Sequence, residues 1–278
     1  MISINNISFA YKDKKVFDNF SLNISDGEFV SVIGKNGSGK STLVKLFNGL
    51  LIPKSGDIIV NGIKTSDSEK IFDLRRSISV VFQNPDNQLV SAVVEDEIAF
   101  GAENIGLPPE EIKSRVDRLL QDFGLSHKIG TSVAHLSGGE KQRLAIASSL
   151  ITKPDIIVFD EADSMLDPES KRDFTEIVKK LNLSGMTVIM ITQDMEEALT
   201  ANRCIVIGNG TVVLDSTPEN VFSNEELLNS FSLTVPDIMK LKSELIRKGI
   251  PVPDTVKSVE VLADALCDYR RIKKYDRI

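Results

Sequence analysis

The sequence predicts an α/β fold built on a parallel sheet. A β-rich layer precedes that sheet, a helical lobe is inserted into it, and a small, mainly helical domain follows it. Three observations predict this. The segment GKNGSGKST, Gly34 to Thr42, lies between the apolar run Phe29, Val30, Val32, Ile33 and the residues Leu43, Val44, Leu46, Phe47 at helical spacing, a strand–loop–helix unit. Two short apolar runs, Ile156 to Phe159 and Thr187 to Thr192, are separated by a charged helical stretch around Glu169 to Leu181. Continuous apolar strands alternating with helices belong to sheets covered on both faces. Finally, the first sixty residues carry short β-rich segments with turn punctuation.

Taken in order, Ile2 to Ala10, Phe20 to Ile24, Phe29 to Ile33 and Ile58 to Val60 read as strands, with Asp26-Gly27 and Asn61-Gly62 as turns. From Pro108 the period changes. Ile112, Val116, Leu119, Leu120 and Phe123 fall on one helical face and Gly124 is placed to end it. This predicts the inserted helical lobe, about 84–150. Residues Cys204 to Asp215 flank Asn209-Gly210, a strong hairpin signal, and a first domain closes near 217. Beyond Thr217-Pro218, Pro236 to Lys248 and Lys257 to Tyr269 are helical patterns separated by GIPVPD, giving a C-terminal domain over 218–278.

Gly34, Lys35, Asn36, Gly37, Ser38, Gly39, Lys40, Ser41 and Thr42 have the residues of a phosphate-binding loop. Successive backbone N–H groups and a helix N-terminus surround one anion, and the glycines allow the tight turn. Lys40 supplies a point charge for the β- and γ-phosphates of a bound polyphosphate, and the Ser41 hydroxyl can ligate Mg²⁺. The run IIVFDE ends a strand with Asp160 and Glu161 at the carboxyl edge of the sheet, where ligands of open α/β folds bind. Asp160 suits Mg²⁺ held through water, and Glu161 suits a base that orients an attacking water. A solvated acidic pair at a strand end is the plainer alternative.

Composition bounds the partners. Of 278 residues 41% are hydrophobic and 26% charged, ordinary for a soluble globular protein. The net charge of −7 speaks against a general nucleic-acid surface. Arg270, Arg271, Lys273, Lys274 and Arg277 form a local basic cluster that a solvated terminal helix explains equally well. No apolar stretch approaches the ~18 residues of a membrane span. The first residues lack a signal-peptide layout and the cysteines are Cys204 and Cys267 alone, so a reducing cytoplasm is expected.

The segment LSGGEKQR, Leu136 to Arg143, sets Ser137, Gly138 and Gly139 ahead of a helix, a second anion-seeking helix N-terminus. It resembles the signature motif of ABC-type ATPases, which closes over ATP held by a second subunit. Other family motifs follow in order. Tyr11 resembles the aromatic that stacks on adenine. Gln83 resembles the Q-loop glutamine, with implied roles in catalysis and Mg²⁺ ligation. Ser164, Met165, Leu166 and Asp167 resemble the D-loop of the dimer interface. As isolated residues, Tyr11 fits a core or edge aromatic and Gln83 a solvated side chain; order and spacing assign them. The resemblance covers residues 1 to about 217 and implies a P-loop ABC ATPase domain, a RecA-like parallel sheet with an antiparallel β layer and inserted helical lobe. Where the family usually has a histidine at the γ-phosphate, this chain reads ITQDMEEA and has Gln193. Glutamine keeps a donor but cannot take up a proton. Ordinary hydrolysis and a weakened site are both open.

The stretch FQNPDNQLVSAVVEDEIAFGAEN, Phe82 to Asn104, is similar to ATPase subunits of energy-coupling-factor importers, which drive uptake of vitamins and metal ions. QNPDNQ resembles the first of the two ATPase paralogues, and KGIPVPDTVKSVEVLADAL resembles the family's extension. This implies a second ATPase subunit (a paralogue or a copy), a membrane-embedded coupling (T) protein, a substrate-capture (S) protein and a peripheral place on the cytoplasmic face of the membrane. Asp86, Glu95, Asp96 and Glu97 would then face basic residues of the coupling protein, unless they are a solvated acidic helix face. The other function class is a soluble ABC ATPase acting on nucleic acid or a protein assembly. The lone nucleotide domain, the acidic balance and the stretch after Phe82 favour the importer.

Overall fold

The computed structural model describes residues 1–12, 14–253 and 256–275. Its first layer is an antiparallel sheet of β1 (Ile2–Tyr11), β2 (Lys14–Ile24), β4 (Ser55–Val60) and β5 (Ile63–Lys64), in the order β2-β1-β4-β5. Its second is a six-stranded sheet of β3 (Phe29–Ile33), β6 (Ile78–Val81), β7 (Ile156–Asp160), β8 (Thr187–Ile191), β9 (Arg203–Gly208) and β10 (Thr211–Ser216), in the order β10-β9-β3-β8-β7-β6. Five of these strands run parallel, and β10 returns antiparallel as a hairpin on β9. Every residue of β3, β7 and β8 is buried. That is why they read as unbroken apolar runs, with cover on both faces rather than one.

One face of the large sheet packs on the antiparallel layer and on α1 (Lys40–Phe47), where Ile2, Ile4, Phe17 and Phe20 meet Val30, Val32, Leu43 and Phe47. A short α2 (Ile71–Ser77) leads into β6. The inserted lobe consists of α3 (Val94–Asn104), α4 (Pro109–Asp122) and α5 (Gly138–Leu150). Val94, Ile98, Val116, Leu120, Leu144 and Ile146 form one core with Ile157, Phe159 and Val188 from the opposite face of the sheet, and with Phe174 and Val178 of α6 (Pro168–Leu183). Pro109 at the start of α4 and Gly124 at φ +67° just past its end follow the usual proline-first, glycine-last asymmetry.

After α7 (Met195–Ala198) and the β9–β10 hairpin come α8 (Pro218–Phe222), α9 (Glu225–Ser230), α10 (Asp237–Arg247) and α11 (Val259–Tyr275). Their apolar residues Val221, Phe222, Leu228, Ile238 and Leu262 share a cluster with Ile33, Cys204 and Val206 of the sheet. The side chains of Arg270, Arg271, Lys273 and Lys274, and Arg277 as a whole, lie outside the described residues, as do Asp254 and Thr255 of the extension.

Several elements differ from the sequence reading, and β2 and β6 bear most on the two sheets. β2 begins at Lys14 rather than Phe20, because its first half is a largely exposed, irregular pairing with register shifts against β1 around Phe9 and Ala10. β6 has no counterpart in that reading. It is four residues long, buries only Ile78 and Val81, and follows a helix with no turn residue between them.

Candidate nucleotide site

The parallel register places the ends of β3, β7 and β8 side by side. Val32 pairs with Ile191, and Asp160 pairs with Ile191 from the other side. Gly34 follows β3, Glu161 follows β7 and Gln193 lies two residues past β8, so three separated segments meet at one carboxyl edge.

The loop from Gly34 to Gly39 closes tightly. Ser38 N–H donates to the Lys35 carbonyl at 3.0 Å, and Gly39 enters α1 with φ +109°, a conformation open to glycine. A Cβ at Gly39 would stand 2.8 Å from the Phe17 ring, and one at Gly34 only 2.4 Å from the Ile207 carbonyl oxygen. Both glycines are therefore required by contact with the β layer and the hairpin. The first helical hydrogen bond of α1 is Leu43 N–H to Gly39 O at 2.9 Å. The preceding N–H groups of Lys40, Ser41 and Thr42 open the helix as unpaired donors.

Lys40 is 5% exposed and donates to the carbonyls of Gly34 and Lys35 at 2.7 and 3.4 Å. Burial lowers its pKa, opposed by Glu161 and Asp160. Ser41 Oγ donates to Asp160 Oδ1 at 3.2 Å. Burial raises the pKa of Asp160 and the Ser41 hydroxyl lowers it. A hydroxyl beside one carboxylate is the sparse oxygen set that suits Mg²⁺, which takes one or two protein ligands and completes its shell with water and phosphate oxygens. Ser38 Oγ is buried and has no partner. It is an orphaned hydroxyl on the same loop that leads into the unpaired N–H groups of α1, a helix N-terminus that fits an anion.

A cleft of about 210 Å³ opens over this edge, lined by Tyr11, Lys14, Val16, Asn36, Gly37, Gly39, Lys40, Ser41, Thr42 and Glu161. Tyr11 is 44% exposed at its mouth and meets Phe9 edge-on, with ring centroids 5.0 Å apart. Lys35 and Ser38 line a second cleft behind the loop, against Gly208 to Gly210. Lys14 and Val16 line it from the start of β2, a largely polar stretch that carries no strand signal in the sequence.

Glu161 has φ +53°, which a non-glycine residue adopts at a cost of about 1–3 kcal/mol. Its N–H donates to Ile191 O at 2.8 Å and its carbonyl accepts from Ser164 N–H at 3.2 Å. The turn swings its side chain off the line of β7. There its carboxylate accepts a hydrogen bond from the Gln193 amide. Gln83 does not line the cleft; its amide donates to Ser164 Oγ at 3.2 Å, on the D-loop segment. Ser137, Gly138 and Gly139 line neither cleft beside the phosphate loop. Ser137 caps α5 in a reciprocal box with Glu140, and a Cβ at Gly139 would stand 2.6 Å from Ser170 Oγ.

Of the four acidic residues expected to face a partner, three are engaged within the chain. Asp86 pairs with Lys141 at 2.6 Å and Glu95 accepts from Gly130 N–H at 2.8 Å. Glu97 is 4% exposed and accepts the N–H groups of Val90 and Ser91 at 2.8 and 2.7 Å. Glu97 therefore holds the loop before α3 and faces no partner, while Asp96 is exposed. Among the described residues no helix is long and apolar enough to cross a membrane.

Comparison with known proteins gives the same reading. The profile of the ABC transporter family matches residues 17–164. The energy-coupling factor transporter ATP-binding protein EcfA1 of Caldanaerobacter subterraneus subsp. tengcongensis is 43% identical, over 96% of this chain and 99% of that protein. The protein of the same name from Ligilactobacillus salivarius is 45% identical, over 98% and 97%. Among solved structures, cbiO1 of Clostridium perfringens, described as part of the ABC transporter complex cbiONQ, is similar with a TM-score of 0.75 at 34% identity, covering 87% of this chain and 98% of that one. The ATP-binding cassette MJ0796, a dimer in a post-hydrolysis state bound to ADP and Pi, has a TM-score of 0.70 at 29% identity, covering 78% and 99%. With full-length identity above 40% and a phosphate loop, acidic strand end and signature helix all in place, this chain belongs to the ABC transporter family of ATP-binding proteins, in its energy-coupling-factor group.

Proposed function

We propose that this chain is the ATP-hydrolysing subunit of an energy-coupling-factor importer. It would sit peripherally on the cytoplasmic face of a membrane. ATP would close it against a second ATPase subunit, moving a membrane-embedded coupling (T) protein and driving uptake of a vitamin or metal ion captured by an S protein. The observation that carries the reading is the meeting of Lys40, the Ser41–Asp160 pair and the Glu161–Gln193 pair at one sheet edge. The names of the relatives support the transport class, and the description of the Clostridium perfringens protein as part of a complex supports membrane partners.

In this reading the loop N–H groups and Lys40 bind the β- and γ-phosphates, and Tyr11 lies against the adenine. Ser41 and Asp160, with Gln83 after rearrangement of its loop, would hold Mg²⁺, which when bound neutralises charge on the phosphate oxygens. Glu161 orients water and accepts its proton, and Gln193 fixes the Glu161 carboxylate from the side. Ser137, Gly138 and Gly139 serve ATP held by the second subunit. We assign 1–217 to the nucleotide domain and 218–278 to the extension. The groove of about 570 Å³ between α3 and α4, with Glu95, Asp96 and Glu103 on its rim, offers basic helices of the coupling protein a place to dock.

The test is purification of the chain from native membranes in detergent, with its companions identified by mass spectrometry. The expected companions are an integral membrane protein and a second ATPase subunit or a second copy. Recovery with nucleic acid or a soluble assembly instead would favour an ABC ATPase without a transporter.

A further inference from the structure

We propose that Lys171 is a positioning residue for hydrolysis: by bridging Asp163 and Asp194 it locks the loop carrying Glu161 to the loop carrying Gln193. The inference rests on the reading of Glu161 and Gln193 as the hydrolytic pair.

Lys171 Nζ lies 3.0 Å from Asp163 Oδ2 and 3.4 Å from Asp194 Oδ2. Asp163 stands two residues after Glu161, and Asp194 directly follows Gln193. One ammonium thus ties together the two chain segments whose preceding side chains meet in the Gln193–Glu161 hydrogen bond. The other ends of the bridge are fixed. Asp194 Oδ1 caps α7 by accepting the N–H groups of Glu196 and Glu197 at 3.0 and 3.3 Å, which leaves Oδ2 for Lys171. The Asp194 N–H donates to Thr192 Oγ1 at 2.9 Å. Lys171 stands in the first turn of α6, whose N-cap Asp167 accepts from Glu169 and Ser170 N–H at 3.0 Å. A helix of sixteen residues is a stiff mount for the cation.

The charges around Lys171 make the bridge necessary. Asp163 has a side chain only 7% exposed, and Glu197 of α7 is half-buried, with its Oε2 atom buried and unpartnered. Burial and then Asp163 push the Glu197 carboxyl up to about 8, so at neutral pH it is mainly protonated. Two carboxylates, one from each loop, then converge on one ammonium. Without it they would repel across the gap and Asp163 would be left as a buried, unpaired charge. An ordinary structural ion pair holds one element to another. This one holds two catalytic loops in register at the sheet edge.

The test uses the full-length chain in its purified complex, with the same variants measured as the nucleotide-free chain. Lys171→Met should lower the single-turnover rate of ATP hydrolysis by up to about 100-fold while leaving ATP affinity within about twofold, the pattern of misplaced chemistry rather than lost binding. Lys171→Arg can still bridge two carboxylates and should restore most of the rate. In the nucleotide-free chain, the NMR signals of the Gln193 side-chain amide, assigned with Gln193→Ala, should move in Lys171→Met and return in Lys171→Arg. If Lys171→Met folds poorly, Lys171→Met with Asp163→Asn removes the buried charge together with its partner and should show the same slowed hydrolysis. A wild-type rate with an unmoved Gln193 amide would overturn the proposal, as would Lys171→Arg as impaired as Lys171→Met. Glu161→Gln is run in parallel. If it hydrolyses ATP normally, the hydrolytic reading itself fails, whereas an inactive Glu161→Gln beside an unaffected Lys171→Met removes the positioning role alone.

Discussion

The Gln193 side-chain amide donates to Glu161 Oε1 at 2.5 Å, joining residues thirty-two positions apart at the ends of adjacent parallel strands. The pairing turns the departure from histidine at this position into a structural question. A glutamine cannot titrate, so its own side of the contact carries no pH dependence, and it donates through a neutral N–H. Glu161 in turn is held in the left-handed region by backbone bonds to Ile191 and Ser164. Glu161 is therefore fixed from behind.

Glu161→Gln is expected to keep Mg-ATP binding and to lower turnover by roughly 10²–10⁴-fold, the range for loss of a positioned acid–base group. Binding survives because Lys40, Ser41, Asp160 and the loop N–H groups are untouched, and the substituted amide oxygen still accepts from Gln193. Single-turnover hydrolysis against a filter-binding Kd measures both quantities. A rate within about threefold of wild type would remove Glu161 from the chemistry.

Gln193→His is expected to raise the hydrolysis rate at this site and to introduce a pH dependence near the imidazole pKa of about 6.5. A histidine that can become cationic stabilises developing phosphate charge more than a neutral amide, since charge-assisted hydrogen bonds are about twice as strong. The comparison is single-turnover hydrolysis in the assembled dimer, opposite site disabled, from acid to alkaline pH. An unchanged rate with no new pH dependence would show Gln193 to be a full functional replacement.

What the chain reveals before folding is what its neighbours in sequence decide. The phosphate loop is contiguous, so its glycines, Lys40 and Ser41 are legible together, and β3, β7 and β8 announce themselves because both of their faces are covered. Tyr11 and Gln83 acquire meaning only through their order among other motifs. Glu97 was hidden for a different reason. It adjoins exposed Asp96 in one acidic run, and a single residue's rotation about α3 buries one and exposes the other. The Asp163–Lys171–Asp194–Glu197 group is drawn from three separate elements, and no local pattern could have assembled it.

Ser38→Ala is expected to separate stability from binding. The Ser38 hydroxyl is buried without a partner, and an unsatisfied buried polar group costs about 1–3 kcal/mol. Its removal should leave the nucleotide-free chain as stable as wild type or more so, while ATP affinity falls because the phosphate loop loses a hydroxyl donor. Melting curves without nucleotide and titration with ATP give the two readouts. A lower melting temperature with unchanged affinity would mean that Ser38 serves the fold and not the ligand.

Glu197→Gln is expected to stabilise the nucleotide-free chain in a pH-dependent way, and the sign follows from the raised pKa. In the folded chain, burial first and Asp163 second lift the Glu197 carboxyl from 4.5 to about 8. Between those values the folded state keeps a proton that the unfolded state has lost, so wild-type stability falls as pH rises from 4.5 and levels off above about 8. Glutamine has the shape of the protonated acid and carries no proton to lose. The advantage of the variant should thus be small near pH 5 and grow towards pH 8, at roughly 2–4 °C in Tm per kcal/mol for a chain of this size. Unliganded protein is essential, because bound nucleotide would add its own shift. A difference in Tm that stays flat across the range would mean that Glu197 remains ionised in the folded chain, and that Lys171 is shared by three carboxylates rather than two.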